Sequence, residues 1–244
     1  MSPPQFLERP GLPPLAFRFR EGRGPALLFL PGYGSDMDGT KAMAIDAWAA
    51  RARRPILRLD YSGCGQSGGR FEEGTLTRWR DDVLALVDQT SGPLVLVGSS
   101  MGGWLMLLVA LARPDRVVGL VGIAAAPDFT DWGFTHDEKI AILREGRINR
   151  PSDYGGSMVT TRAFWQSGEA HRLLQRTILI DCPVRLLQGQ RDPVVPWATA
   201  LHLVERLRSA DVQLHLIKDG DHRLSRDSDI ALLIQAIERL LETL

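Results

Sequence analysis

The run Gly98-Ser99-Ser100-Met101-Gly102 constrains this chain more than any other. It follows the apolar stretch Pro93-Leu94-Val95-Leu96-Val97 and leads into a helical pattern, Trp104 to Ala112. A strand that reverses into a helix through Gly-x-Ser-x-Gly turns very tightly, so the serine takes a strained backbone angle and its hydroxyl rises above the sheet. The positions two before and two after the serine then approach too closely to carry side chains. Gly98 and Gly102 meet that demand, and Gly103 adds room for the helix to pack on the strand.

A serine hydroxyl attacks a carbonyl only when a base takes its proton. The base in turn needs a carboxylate to fix its tautomer and stabilise the imidazolium. Where a serine sits on such a turn, the order along the chain is Ser, Asp or Glu, then His. Past Ser100, the apolar run Val184-Arg185-Leu186-Leu187 ends in Gly189-Gln190-Arg191-Asp192-Pro193-Val194-Val195-Pro196, which places Asp192 on a loop stiffened by prolines. The next strand pattern, Val212 to Ile217, empties into Asp219-Gly220-Asp221-His222. Ser100, Asp192 and His222 therefore all fall at carboxyl ends of strands, where open α/β sheets build their sites.

The other candidates fit less well. His202 sits in a helical pattern and His215 in mid-strand, whereas His136 and His171 precede Asp192 and break the order. Asp128 follows the strand pattern 117–123 and is a rival for the acid; Asp192 is preferred for its rigid Gly-x-x-Asp-x-x-Val-Pro setting. Asp221 is expected in solvent. Acyl transfer also needs donors for the oxyanion. The amide of Met101, directly after the serine, is one. The amide of Tyr33, in the turn Pro31-Gly32-Tyr33-Gly34 after the strand Leu27–Leu30, is the other.

Strand patterns fall near 15–20, 26–30, 55–60, 93–98, 117–123, 184–189 and 212–217, and helical patterns near 39–50, 74–89, 101–112, 197–208 and 227–243. Their alternation predicts an α/β fold with a mostly parallel twisted sheet and helices on both faces. The first two strand patterns are expected to form an antiparallel hairpin at the sheet edge. Residues 1–244 read as one domain, a length sufficient for a large buried core. Between 123 and 184 lies a connection far longer than usual. We expect its segment 127–176 to form a helical cap inserted after strand 6, built on helices at His136 to Arg144 and Arg162 to Leu174. The cap would hold an acyl group with apolar walls drawn from Phe129, Trp132, Phe134, Tyr154, Phe164 and Trp165, and from Ile140.

A formal net charge of zero offers nothing to nucleic acid, and Arg51, Arg53 and Arg54 read as cations at a helix C-terminus. Two cysteines, Cys64 and Cys182, do not make a disulfide framework. No apolar run reaches membrane-spanning length, and the start lacks the basic and apolar regions of a secretory signal. These readings lead to an expected cytoplasmic protein with no cofactor and no metal, no stable membrane insertion, and an acylated small molecule or acylated protein as partner.

Longer motifs carry a resemblance. They are Phe29-Leu-Pro-Gly-Tyr-Gly-Ser-Asp-Met-Asp-Gly-Thr-Lys-Ala42, Asp60-Tyr-Ser-Gly-Cys-Gly-Gln-Ser67, Thr75-Leu-Thr-Arg-Trp-Arg-Asp-Asp-Val83, Val97-Gly-Ser-Ser-Met-Gly-Gly-Trp-Leu-Met106, Cys182-Pro-Val-Arg-Leu-Leu-Gln-Gly189, Val195-Pro-Trp197 and Asp221-His-Arg223. Through them the chain resembles the α/β-hydrolase superfamily, and within it the abhydrolase-domain-ten family of animal mitochondrial serine hydrolases. That family removes fatty acyl groups from protein cysteines and cleaves acyl glucuronides. The resemblance implies a thioesterase or carboxylesterase, with nucleophile, acid and base at Ser100, Asp192 and His222. It is weakest from about 128 to 170, the part that should choose the substrate. From its start we expect a bacterial relative without a transit peptide. A non-catalytic ligand-binding protein on the same fold would be expected to have lost one of these groups, and a dehalogenase would carry aspartate at position 100.

Overall fold

Leu27 and Phe29 alternate with Leu28 and Leu30, and Val95 and Val97 with Leu94 and Leu96; all are buried. Strands apolar on both faces must be covered by helices from both sides. The computed structural model, which describes residues 3–151 and 157–244, has this layered arrangement. In its first half come β1 (Gln5–Arg9), β2 (Leu12–Arg20), β3 (Ala26–Leu30), α1 (Thr40–Ala52), β4 (Ile56–Leu59), α2 (Leu76–Asp88), β5 (Leu94–Ser99) and α3 (Met101–Ala112). There follow β6 (Val117–Ile123), α4 (Phe129–Trp132), α5 (His136–Glu145), β7 (Arg147–Pro151), β8 (Ser157–Thr161) and α6 (Arg162–Glu169). The chain closes with β9 (Val184–Gly189), α7 (Trp197–Arg206), β10 (Val212–Ile217) and α8 (Asp227–Leu241).

The main sheet has the order β1-β2-β4-β3-β5-β6-β9-β10. Pairing is parallel from β4 through β10, and antiparallel between β1 and β2 and between β2 and β4. Leu28, Leu30, Leu94 and Leu96 pack with Trp79 and Val83 of α2 and Leu105 of α3. On the other face, Leu27, Phe29, Val95 and Val97 meet Ile45 and Trp48 of α1 and Leu233 and Ile237 of α8. Each such side chain contributes about 1.5–3 kcal/mol by leaving water, so these central strands are firmly anchored between the two helical layers.

Three expectations need correction. The edge hairpin is β1 with β2, since β3 pairs with β4 and β5 and is separated from β2 by β4. Parallel order lets β3 enter the sheet interior, where its unbroken apolar run is covered on both faces. The insertion between β6 and β9 is not wholly helical, because β7 and β8 pair as an antiparallel ribbon. Arg147-Ile148-Asn149-Arg150 alternates exposed and half-buried positions, and Val159-Thr160-Thr161 is β-branched, a composition that suits a pleated surface. The helix expected through Leu174 ends at Glu169. Beyond it, the amides of Leu173 and Leu174 bond to the carboxylate of Asp128 and so leave the helical pattern.

Candidate active site

Ser100 has φ 53° and ψ −120°, a combination that costs a non-glycine residue about 1–3 kcal/mol and persists only where surroundings enforce it. They do so through three backbone bonds: the Ser100 amide donates to Ile123 O at 2.9 Å, and its carbonyl accepts from Gly103 N at 2.8 Å and Ala126 N at 3.0 Å. A Cβ on Gly98 would stand 2.4 Å from Gly102 O, and one on Gly102 only 2.1 Å from Leu30 O. The glycines are thus a condition of the turn. Met101 opens the first turn of α3, where amides have no intrahelical acceptor and favour negative charge.

The loop after β3 lies directly over this turn. A Cβ on Gly32 would stand 3.4 Å from the Cβ of Ser100, so this loop packs against the serine. Ties outside the loop fix its position. Tyr61 Oη donates to Pro31 O at 3.0 Å, and the buried carboxylate of Asp60 accepts from Met37 N at 2.7 Å and Gln66 N at 2.8 Å. The Tyr33 ring is packed among Phe71, Trp79, Phe129 and Phe164, and its hydroxyl donates to Val159 O of β8 at 2.5 Å. Burial pushes this phenol's pKa up.

Asp192 and His222, at the ends of β9 and β10, meet across the sheet edge. His222 Nδ1 lies 2.8 Å from Asp192 Oδ2, with the aspartate side chain fully shielded from water and the imidazole 22% exposed. The other carboxylate oxygen accepts from the amides of Val194 and Val195, both at 2.8 Å. Burial alone would raise the Asp192 pKa, but the hydrogen bond and charge of His222 and these amides outweigh it, and the carboxyl titrates below its usual range. Ser100, His222, Met101 and Tyr33 line one cavity of about 610 Å³, a size typical of small-molecule sites. Its outer wall comes from the insertion, through Phe129, Trp132, Phe134, Arg150, Met158 and Thr160.

The remaining candidates lie elsewhere. Asp128 is buried, and its carboxylate is occupied by Leu173 N and Leu174 N. His202 Nε2 takes a bond from Arg206 within α7, and His171 Nε2 faces Arg80. Asp221 is exposed. Ile140, Phe164 and Trp165 are not among the residues lining the cavity; Phe164 belongs to the core, and Trp165 Nε1 donates to Thr130 O. Tyr154 lies outside the described residues. Sequence reasoning overlooked Met158, Thr160 and Lys41, which also line the cavity, and the aspartate-binding Gln188. Lys41 Nζ donates to Arg223 O beside His222, and burial brings its pKa down to about 8. Burial likewise pushes the Cys64 and Cys182 thiols up to about 12 and about 11, which leaves little thiolate at neutral pH. Among the described residues no cluster of three or more His, Cys, Asp or Glu could hold a metal ion, and no helix is long and apolar enough to cross a membrane.

The fold and this constellation define a class, and comparison with known proteins agrees: residues 27–236 match the model of the alpha/beta hydrolase family. The chain belongs to that family and is a hydrolase. Among its relatives is the protein named palmitoyl-protein thioesterase ABHD10, mitochondrial, of Homo sapiens, 42% identical over 98% of this chain and 80% of the relative. The solved alpha/beta hydrolase domain-containing protein 10 from mouse superposes with a TM-score of 0.93 at 40% identity, covering 99% of both chains. Est1E of Butyrivibrio proteoclasticus, at 20% identity and a TM-score of 0.82 over 98% of each chain, shares the fold. The relatives overturn the expectation of a cytoplasmic protein, since those with 42% identity are named as mitochondrial. Unbridged cysteines suit any reducing compartment, so their presence did not distinguish the two locations.

Proposed function

We propose that this hydrolase cleaves thioesters or carboxylic esters through an acyl-enzyme, acting on fatty-acylated protein cysteines or related acyl conjugates. Ser100 is the nucleophile, His222 the base, Asp192 the acid, and the amides of Met101 and Tyr33 hold the oxyanion. The chain acts as one domain, with the segment 127–176 as its cap. The observation that carries this reading is the shielded Asp192 carboxylate 2.8 Å from an imidazole that shares its cavity with a serine at φ 53°. The name of the human relative supports the fatty acyl group, and the aromatic outer wall supports an apolar chain.

In the reaction, Ser100 Oγ forms a bond to the acyl carbon as its proton passes to His222 Nε2. The carbonyl becomes an oxyanion between the two amides, each such donor contributing about 3 kcal/mol to the transition state. Collapse breaks the bond to sulfur or oxygen, and the leaving group takes the proton from His222. Water then attacks the acyl-enzyme, gives its proton to His222, and the acid departs as serine is reprotonated. Throughout, Asp192 keeps Nδ1 protonated and its charge beside the imidazolium.

Matched palmitoyl oxygen and sulfur esters, assayed with purified protein, test the reading. Ser100→Ala is expected to abolish fluorophosphonate labelling and turnover, and Asp192→Asn to lower kcat by about 10⁴-fold. Asp128→Asn should lower stability while leaving kcat near wild type. A severe catalytic loss at Asp128 with a mild one at Asp192 would move the acid role, and full activity in Ser100→Ala would refute the mechanism.

A further inference from the structure

Gln188 lies in β9, four residues before Asp192, and is only 1% exposed. Its adjacent residues Leu187 and Gly189 are apolar, and Leu186 and Leu187 are buried in the two cores, while the one charged residue of the strand, Arg185, is paired with Asp211 at its other end. A leucine or methionine would satisfy packing at this position without desolvating an amide. The glutamine must therefore be explained by what its polar end touches. Nε2 stands 3.1 Å from Asp192 Oδ2, 3.2 Å from Val195 O and 3.2 Å from Gly189 O. All three neighbours are acceptors, so the group facing them must be the NH₂ and not the carbonyl oxygen. Oε1 is buried and has no hydrogen-bond partner among the described residues. A buried acceptor left without a partner is a cost, and the amide bears it while its donor end faces the carboxylate.

The contact falls on a particular oxygen. Oδ1 of Asp192 is taken by the amides of Val194 and Val195, whereas Oδ2 receives both His222 Nδ1 and Gln188 Nε2. His222 is the titratable side chain in hydrogen-bond contact with Asp192, whose other partners are neutral amides; the charged groups beside His222 are Lys41 of α1, which lines the same cavity and donates to Arg223 O, and the histidine's chain neighbours Asp221 and Arg223. The same Nε2 also reaches Val195 O, in the loop whose amides hold Oδ1. One side chain thus ties the strand end, the loop and the carboxylate together.

We propose that Gln188 is a positioning residue: its amide aims Asp192 Oδ2 at His222 and draws off part of the carboxylate's charge, so that the imidazole is oriented without being held too firmly in its protonated form. The proposal rests on the roles assigned above to Ser100, His222 and Asp192. Removing the donor would leave Oδ2 with His222 alone, making it a stronger acceptor that favours imidazolium. Protonated imidazole cannot act as base. The acid limb of the kcat/KM profile should therefore move to higher pH, and looser aim should lower kcat more than it raises KM.

The test uses the full chain with a p-nitrophenyl ester and a matched thioester. Gln188→Met preserves length and apolar volume without a donor. It is expected to shift the acid limb upward by about half a unit or more and to lower kcat about tenfold, as loss of a hydrogen bond to a charged group implies. Gln188→Glu keeps the shape and supplies a donor only while its carboxyl is protonated. It should retain more activity than Gln188→Met at low pH and lose that advantage as pH rises. Melting temperatures establish that each variant is folded, and if Gln188→Met does not fold, the pH-dependent advantage of Gln188→Glu over Gln188→Leu decides. A folded Gln188→Met with the wild-type acid limb and kcat within twofold would overturn the proposal, leaving the amide a packing residue. So would a Gln188→Glu profile parallel to wild type. An active Ser100→Ala would refute the underlying mechanism, whereas an inactive Ser100→Ala beside a wild-type-like Gln188→Met refutes the role of Gln188 alone.

Discussion

The two amides assigned to the oxyanion come from different segments, and Gly102 is where those segments touch. A methyl group there would stand 2.1 Å from Leu30 O and 2.6 Å from Pro31 O, both backbone atoms that no rotamer change can move. Restoring ordinary contact requires the end of β3 and the start of α3 to separate by about 1.3 Å. Met101 rides on α3 and Tyr33 follows Pro31, so the separation opens the gap between the two donors. A misplacement of about 1 Å in a reacting geometry can cost about 100-fold, equivalent to about 2.7 kcal/mol of barrier. Gly102→Ala is therefore expected to acylate about 100-fold more slowly, with about 1–3 kcal/mol lost from stability through overpacking. The assay is the pre-steady-state burst of p-nitrophenol from an activated ester, beside a thermal melt. Gly119→Ala serves as a control, since its methyl would meet the tip of Leu240, a flexible side chain, 2.6 Å away; it should lower stability without slowing acylation. If folded Gly102→Ala acylates within threefold of wild type, the spacing of the two segments does not govern catalysis and the oxyanion assignment fails.

Chain-length selectivity should track the cavity wall and not the aromatic content of the insertion. Phe134→Ala and Met158→Ala are expected to reduce the kcat/KM ratio of long-chain to short-chain thioesters by about tenfold, the scale of a lost apolar contact in a pocket. Trp165→Ala should leave that ratio within twofold while lowering the melting temperature, and the opposite pattern would place the acyl chain elsewhere. On acidification, the ion pair joining α5 to β7 should open: Arg150 binds both oxygens of Glu138 at 2.8 and 2.5 Å. The hydrogen bond from Arg150 brings the Glu138 pKa down from 4.5 to about 2. A depressed carboxyl contributes stability that is complete above 4.5 and is lost as pH falls toward about 2. The protection factor for hydrogen exchange at Ile148, corrected for the intrinsic rate, should fall across that window in wild type, and Glu138→Gln should remove the step; an unchanged acid profile in Glu138→Gln would refute the assignment.

The parts of the site legible in the sequence depend on local geometry. Gly98 and Gly102 flank Ser100 because the turn permits no side chains there, and that constraint acts over five consecutive residues. Asp192 and His222 could be read because each follows an apolar run at a strand's end. Gln188 could not, since a glutamine inside such a run looks like any strand residue until the Asp192 loop folds back on it. Asp128 had the correct spacing to be the acid, and only the return of the chain at Leu173 and Leu174 shows its carboxylate already taken. Trp165 and Phe134 are equally aromatic, yet the first turns toward α4, where its Nε1 donates to Thr130 O, and the second lines the cavity.

By itself, the sequence determined the layered α/β class, the strained serine turn, and the identity and order of three polar groups at strand ends, because each follows from short-range sterics or from hydrophobic periodicity. The tertiary structure decided strand order, with β4 between β2 and β3, the ribbon within the insertion, and which side chains enclose the cavity. These depend on contacts between segments tens of residues apart, and no local pattern carries the direction in which a distant side chain will point once the sheet has closed beneath it.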